Sequence, residues 1–289
     1  MFRWIRDLTP NLLTPGDAAP WPETLRPLQV RGHVFAPIPR ILHQTWNTSE
    51  IPAKWRGYQS SWLENHPSWQ YVLWTADDHR RLIAERHSWF LPTYDAFPRH
   101  IQRVDAAKYF ILYTYGGCYA DLDCECLKPV DAFLEQGGVV VGKTRDGVIG
   151  GAFFASPSRH PLWELVFDEM QAPSLVARIC HRMGYEAAYV LFSTGPRMLK
   201  RVVRRYVDQR AKESGSSGIT IWGPEYFFSH SWLRRYVAAR EPGAFLHHHY
   251  SGSWLSPMEA AVHQYFTVRT LKIAAPILAA LILLSAISC

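Results

Sequence analysis

In the stretch Tyr115-Gly116-Gly117-Cys118-Tyr119-Ala120-Asp121-Leu122-Asp123, two glycines stop an apolar helix, and an extended segment then delivers two carboxylates one residue apart. Alternate residues of a strand share a side, so Asp121 and Asp123 are expected to face one divalent cation or one ribose–diphosphate unit together, with Leu122 turned to the core. Upstream, Tyr109, Phe110, Ile111, Leu112, Tyr113 and Tyr115 make the helix too apolar for a surface position. Gly116-Gly117 ends it and permits close backbone approach. An Asp-x-Asp alone is common on solvated loops, but charged side chains at the end of a buried element usually have a ligand.

Outward from this stretch the pattern alternates between strand and helix. Residues 40–46 read as a strand, 53–64 as an amphipathic helix behind the helix-initiating Pro52, 69–74 as a second strand and 77–85 as a helix. The alternation predicts an α/β fold with a mainly parallel central sheet flanked by helices. Ligands of such sheets bind at the carboxyl ends of the strands, where Trp46 and the Asp121/Asp123 pair would both lie. Further strands are expected at 138–143 and 152–156, joined by a hairpin turn at Arg145-Asp146-Gly147, and at 219–222; helices are expected at 161–170 and 197–209. Gly215-Ser216-Ser217-Gly218 reads as a flexible loop, and no second globular domain is evident.

At 289 residues and 48% hydrophobic content, the chain suits one large domain with appendages. The expected partition is a Pro-rich arm over 1–36, a catalytic domain over 37–268 and a hydrophobic C-terminal helix over 269–289. Thirty-one basic against 25 acidic residues give +6, which suits an anionic diphosphate or an anionic membrane surface. The excess is too mild and scattered for nucleic acid, and no Gly-rich phosphate loop or recognition helix accompanies it. The arm carries Pro10, Pro15, Pro20, Pro22 and Pro27 and no apolar run long enough for a signal peptide. It reads either as a segment resting on a membrane through Phe2, Trp4 and Ile5 or as a disordered leader. From Ile273 onward 17 residues are free of charge, preceded by Arg269 and Lys272. That is near the short limit for a span, where about 20 is typical, and a membrane tail is expected. The two basic residues argue for a cytosolic catalytic part. Cys118, Cys124, Cys126, Cys180 and Cys289 lack zinc-site spacing and predict no disulfide framework.

Four motifs in order give a resemblance over roughly residues 37 to 255. They are Ile38-Pro39-Arg40-Ile41-Leu42-His43-Gln44-Thr45-Trp46 with Ile51-Pro52 and Trp55; Ile101-Gln102-Arg103-Val104-Asp105-Ala106-Ala107-Lys108-Tyr109 with the Gly-Gly-x-Tyr-x-Asp-x-Asp stretch; Thr194-Gly195-Pro196; and His249-Tyr250-Ser251-Gly252-Ser253-Trp254. This pattern resembles glycosyltransferases of family 32, the group with a DXD sugar-binding region, and within it the inositol phosphorylceramide mannosyltransferases. The resemblance implies a GT-A-like, single Rossmann-type domain. It also implies a retaining, metal-dependent hexosyltransferase using a nucleotide sugar, GDP-mannose by preference, with Mn²⁺ or Mg²⁺. The implied acceptor is a membrane glycolipid such as inositol phosphorylceramide, with a glycoprotein or polysaccharide glycan as the alternative. A Golgi membrane location with the catalytic part in the lumen follows if the source is eukaryotic, opposite to the cytosolic side that the two basic residues favour, so the orientation stays open; a regulatory membrane subunit is a further expected partner.

By the same resemblance, Asp121, Asp123 and His249 hold the metal, and Asp121, Asp123, Asp105 and Trp254 carry the chemistry. Trp46, Arg103, Asp105, Lys108, Asp121, Ser253 and Trp254 contact the donor. Asp105 and Lys108, three apart on a helix, share a face; an intrahelical ion pair is the other reading. The family usually has Arg where Lys108 stands, so the charge is kept and the bidentate fork lost. His247, His248 and His249 adjoin, but only His249 has the family's spacing from Ser253 and Trp254. Trp46 is assigned a stacking role on the nucleobase, with His43 and Gln44 supporting its loop. Val148-Ile149-Gly150-Gly151-Ala152 departs from the family's Asn-containing turn and removes an amide from the acceptor side. Asn47-Thr48-Ser49 matches a glycosylation sequon but adjoins the expected nucleotide pocket, so no modification is expected. Two readings from other classes are a metal-dependent phosphodiesterase, which needs more acidic or His ligands, and a non-catalytic membrane partner subunit, which would not need the carboxylates.

Overall fold

A computed structural model describes residues 12–13, 37–135, 137–214, 218–227 and 243–255. The tail at 269–289 and most of the arm lie outside these residues. Among the described residues, no helix is long and apolar enough to cross a membrane.

In chain order the elements are β1 (Leu12–Leu13), β2 (Ile41–Thr45), α1 (Ala53–Asn65), β3 (Gln70–Trp74), α2 (Ala76–Arg86), a 3₁₀ turn (Ser88–Phe90), α3 (Leu91–Asp95) and α4 (His100–Tyr115). There follow β4 (Gly117–Ala120), β5 (Cys124–Cys126), α5 (Asp131–Leu134), β6 (Val139–Lys143) and β7 (Ile149–Ser156). The last are α6 (Leu162–Gln171), α7 (Leu175–Arg182), α8 (Glu186–Ser193), α9 (Pro196–Ser214), β8 (Ile219–Trp222), α10 (Pro224–Phe227) and β9 (Leu246–His248).

The central sheet runs β1-β3-β2-β4-β7-β6-β8. β3, β2 and β4 are mutually parallel neighbours, as the strand–helix alternation predicts, while β1, within the arm where no strand is expected, pairs parallel with β3. The sheet as a whole is mixed, because β7 pairs antiparallel with both β4 and β6 while β8 returns parallel to β6. The cause is the hairpin at 145–147: strands joined by so short a turn run antiparallel. Thr144 and Val148 close that turn, with Thr144 N donating to Val148 O at 2.8 Å.

The central strands are buried on both faces, so their apolar runs are nearly continuous. Tyr71, Leu73, Cys118, Ala120 and Phe153 enter one core, and Val72, Trp74, Tyr119 and Phe154 the other. α4 is enclosed by the second core: Ala106, Ala107, Tyr109, Phe110, Ile111 and Leu112 are fully buried. It ends at Gly116, whose φ of 70° lets its amide return to Leu112 O at 2.9 Å. Gly117, at φ 94°, passes so close to β2 that a Cβ there would stand 2.7 Å from the Ile41 carbonyl oxygen. His43 locks this junction. Trp74 Nε1–H donates to its Nδ1 at 3.1 Å, so the ring is protonated on Nε2, which lies 2.9 Å from the Gly116 carbonyl and donates to it. Burial holds the imidazole neutral, with its pKa lowered to about 4 against the opposing Gly116 bond.

Candidate active site

β4 stops at Ala120, one residue before the acidic pair. Asp121 N–H donates to Ala152 O of β7 at 2.9 Å, and Cys124 N–H then returns to Asp121 O at 3.0 Å, closing a tight turn over 121–124. The carboxylates therefore meet through a turn rather than by alternation along one strand. Leu122, between them, is buried as expected.

Two residues before Asp121, Tyr119 presents its hydroxyl on the same side of β4 and donates to Asp121 Oδ1 at 2.7 Å; Thr45 Oγ1 stands 3.0 Å from that hydroxyl. Asp123 is held by a later segment. Ser251 N–H donates to its Oδ2 at 2.8 Å, and His249 N–H donates to its carbonyl at 2.9 Å. Tyr250, in a left-handed conformation at φ 47°, makes the bend that aims these amides.

β5 and β9 form a separate two-stranded antiparallel sheet with Cys124 opposite His248 and Glu125 opposite His247. This register puts His248 Nε2 3.3 Å from Asp123 Oδ1. Ligand atoms of Asp121, Asp123 and His248 all lie within 4.8 Å of one another. The expectation for His249 is corrected by the same register: its Nε2 lies 3.1 Å from Glu125 Oε2, its Nδ1 3.3 Å from the Tyr58 hydroxyl, and its ring stacks on Tyr58 at 4.1 Å. Successive side chains of an extended segment point to opposite sides, so only one of the two adjacent imidazoles can face the acidic pair.

Behind the carboxylates, Lys108 Nζ lies 2.7 Å from Asp105 Oδ1 and donates to Gly151 O at 3.0 Å. Thr194 Oγ1 donates to Asp105 Oδ2 at 2.9 Å, while Tyr109 donates to the Thr194 carbonyl at 2.9 Å. Of the two readings of Asp105 and Lys108, the structure shows the intrahelical ion pair, which is buried and close enough to Asp121 to feel its charge.

The electrostatics differ from group to group. Burial pulls the Lys108 pKa down, but the carboxylates of Asp105 and Asp121 outweigh it and raise it. Burial pushes the Asp121 carboxyl up and the charge on Asp123 adds to this, against Lys108, His248 and the Tyr119 hydroxyl. Burial acts the same way on Asp123, yet His248 and the Ser251 amide overcome it and hold that carboxyl well below the usual range. His248 is raised, because Asp123 and Asp121 together outweigh its burial.

Trp46, half-buried just past β2, donates its backbone N–H to Trp74 O at 2.9 Å. Ser253 is exposed and Trp254 half-buried, and the Trp254 carbonyl accepts from Arg99 Nη2 at 3.2 Å, tying the closing segment to the start of α4. Arg103 is not among the residues brought to the carboxylates; its guanidinium donates to the Phe97 carbonyl, on a different face of α4 from Asp105. Asn47, Thr48 and Ser49 are exposed, and Cys118, Cys124 and Cys126 are buried free thiols. The sequence leaves open whether His248 or His249 faces the carboxylates, and it gives no role to Tyr119, Thr194, Glu125 or Tyr58. Tyr119 had a readable signal, its two-residue spacing from Asp121.

The acidic turn at the carboxyl end of β4 and the buried Lys108–Asp105 pair both lie within the stretch that a known family matches. Residues 52–139 match the family described as "Glycosyltransferase sugar-binding region containing DXD motif". "Inositol phosphoceramide mannosyltransferase 1" of Schizosaccharomyces pombe is 33% identical over 232 residues, covering 77% of this chain and 70% of the relative. The chain belongs to this family of DXD glycosyltransferases. "Inositol phosphoceramide mannosyltransferase 2" of the same yeast is 36% identical over 174 residues, covering 60% of this chain. The chain spans about half of that relative's length, 48%. Among solved structures, the ligand-free glycosyltransferase domain from the YGT toxin overlays with a TM-score of 0.49 and 10% identity, covering 64% of this chain and 80% of that one.

Proposed function

We propose that the chain is a retaining mannosyltransferase that moves mannose from GDP-mannose onto a membrane glycolipid of the inositol phosphorylceramide kind. The observation that carries this reading is the convergence of Asp121, Asp123 and His248 within 4.8 Å, beside the Asp105–Lys108 pair. Two carboxylate oxygens and one imidazole nitrogen fit a divalent cation, and the nitrogen tilts the choice toward Mn²⁺ over Mg²⁺. A bound cation supplies Lewis-acid neutralisation of the diphosphate leaving group. Lys108 adds a fixed positive charge on the same side, oriented by Asp105 and Gly151. Tyr119 holds Asp121 in place, Trp46 offers a ring face to the nucleobase, and Trp254 Nε1 offers a donor to phosphate oxygens.

The other nearby carboxylates are engaged: Asp105 with Lys108 and Thr194, Glu125 with His249. This supports front-face attack by the acceptor hydroxyl, with the leaving phosphate taking its proton, rather than a protein nucleophile. The lipid acceptor places the reaction at a membrane, the Golgi membrane in a eukaryotic source, with residues 269–289 as anchor. The test is a donor screen of purified protein with GDP- and UDP-sugars, Mn²⁺ and inositol phosphorylceramide. Mannosylated lipid formed only with GDP-mannose is the expected outcome; preference for a UDP-sugar, or isolation of a sugar covalently bound to an Asp or Glu, would overturn it.

A further inference from the structure

We infer that α7 is an interfacial helix whose outward apolar face seats in the headgroup region of an anionic phospholipid bilayer. Ser174 caps it, its Oγ accepting from Ala177 N–H at 3.4 Å. Leu175 is 63% exposed, Val176 49%, Ile179 47% and Met183, just past the helix, 54%. At about 100° per residue these four side chains fall within an arc of roughly 100°. The opposite side carries Ala177, which is buried, and Cys180, half-buried. A surface helix of a soluble domain turns its apolar stripe to the core, and α7 presents its stripe to the outside.

The surroundings favour lipid over protein as the occupant. Arg182 and Arg178 border the arc, and no acidic side chain stands between Glu169 and Glu186. The patch is therefore cationic at its rim, complementary to anionic headgroups. Tyr185, 56% exposed, adds an amphipathic ring of the kind that settles at a membrane–water boundary. Four side chains on two helical turns are also too small a patch for a stable subunit interface of ordinary size. α7 packs on α8, and α8 on α9, which carries Lys200, Arg204, Arg205 and Lys212 at exposed positions alongside Asp208. Insertion does not depend on which sugar is moved; only its catalytic consequence, delivery of the site to a lipid acceptor, rests on the proposed function.

The test uses the full chain with Cys180→Ser and Cys289→Ser, carrying an environment-sensitive NBD fluorophore at Ile179→Cys or, as control, at Gly57→Cys on the exposed face of α1. Adding phosphatidylcholine–phosphatidylserine vesicles is expected to blue-shift and brighten the probe at 179, with quenching by nitroxides placed near the lipid headgroups, and to leave the probe at 57 unchanged. No vesicle-dependent change at 179 would overturn the inference. So would a probe at 179 already blue-shifted before vesicles are added, since another segment or a second copy would then cover the face. Separately, Leu175→Glu with Ile179→Glu is expected to keep its melting temperature and its donor hydrolysis while losing at least about tenfold in transfer to vesicle-borne acceptor. Equal transfer by variant and parent would count against it. A parent inactive on lipid would sink the acceptor reading and leave the fluorescence result to decide insertion.

Discussion

Asp121 and Asp123 have the same side chain and opposite electrostatics. Burial pushes Asp121 up, whereas Asp123, equally starved of water, is held down by His248 and the Ser251 amide. Asp123 is thus the more acidic carboxyl of the pair. Asp123→Asn and Asp121→Asn are each expected to abolish transfer while the circular dichroism spectrum stays that of the parent. Because His248 faces the carboxylates and His249 faces Glu125, His248→Ala should weaken Mn²⁺ binding at least about tenfold more than His249→Ala, measured by titration calorimetry. The acidic pair was legible in the sequence because a glycine stop after an apolar helix is a local signal. The choice between adjacent histidines was not: it is set by the register of β9 on β5, a pairing across more than 120 residues, and a slip of one residue would exchange their faces.

At the scale of elements, the junction from α4 to β4 shows what a local signal can and cannot carry. Gly116-Gly117 announces a helix stop, and both residues are in the left-handed region. What the sequence could not show is that Gly117 runs against the Ile41 carbonyl and the His43 ring. Gly117→Ala combines an unfavourable φ of 94° with a 2.7 Å clash against backbone, so a loss of roughly 2 kcal/mol or more is expected. That corresponds to a fall of at least about 4 °C in melting temperature for a domain of this size. Gly57, on the exposed face of α1, has nothing within 4 Å of the site of a Cβ, and Gly57→Ala is expected to stabilise by roughly 0.5–1 kcal/mol. If the two substitutions shift the thermal midpoint alike, the close approach at Gly117 has no energetic weight. The helices read correctly from sequence were the long ones with an inward stripe. α7 and α8 escaped because each has only eight residues, too few for a clear period, and α7 also turns its apolar side outward.

For the whole molecule, alternation made the parallel half of the sheet readable, and the hairpin signal implied the antiparallel half without fixing where β7 would insert. That insertion, between β4 and β6, is what places Gly151 against Lys108 and Ala152 against Asp121. The same two-sided burial encloses several histidines in neutral form. Burial lowers His43, His87 and His160 to about 4 and His79 to about 3, with neighbouring charges adding at the last three. Each of these binds its proton more weakly folded than unfolded, so its contribution to stability is complete above about pH 6.5 and is lost as the pH falls toward 4. A histidine lowered from 6.5 to about 4 contributes up to roughly 3 kcal/mol of this dependence. His248, raised by Asp123 and Asp121 against its burial, has the opposite sign: its contribution is present below 6.5 and lost at higher pH, so it offsets part of the acid loss. Melting followed from pH 7 to 4.5 should therefore show a steep acid limb in midpoint temperature, and a flat profile would refute the neutral buried imidazoles. His79 separates this effect from general acid denaturation. Neither of its ring nitrogens has a hydrogen-bond partner among the described residues, so His79→Leu removes an unsatisfied imidazole. The variant is expected to be at least as stable as the parent at pH 7 and to lose less on acidification; an unchanged acid limb would show that His79 does not titrate with unfolding.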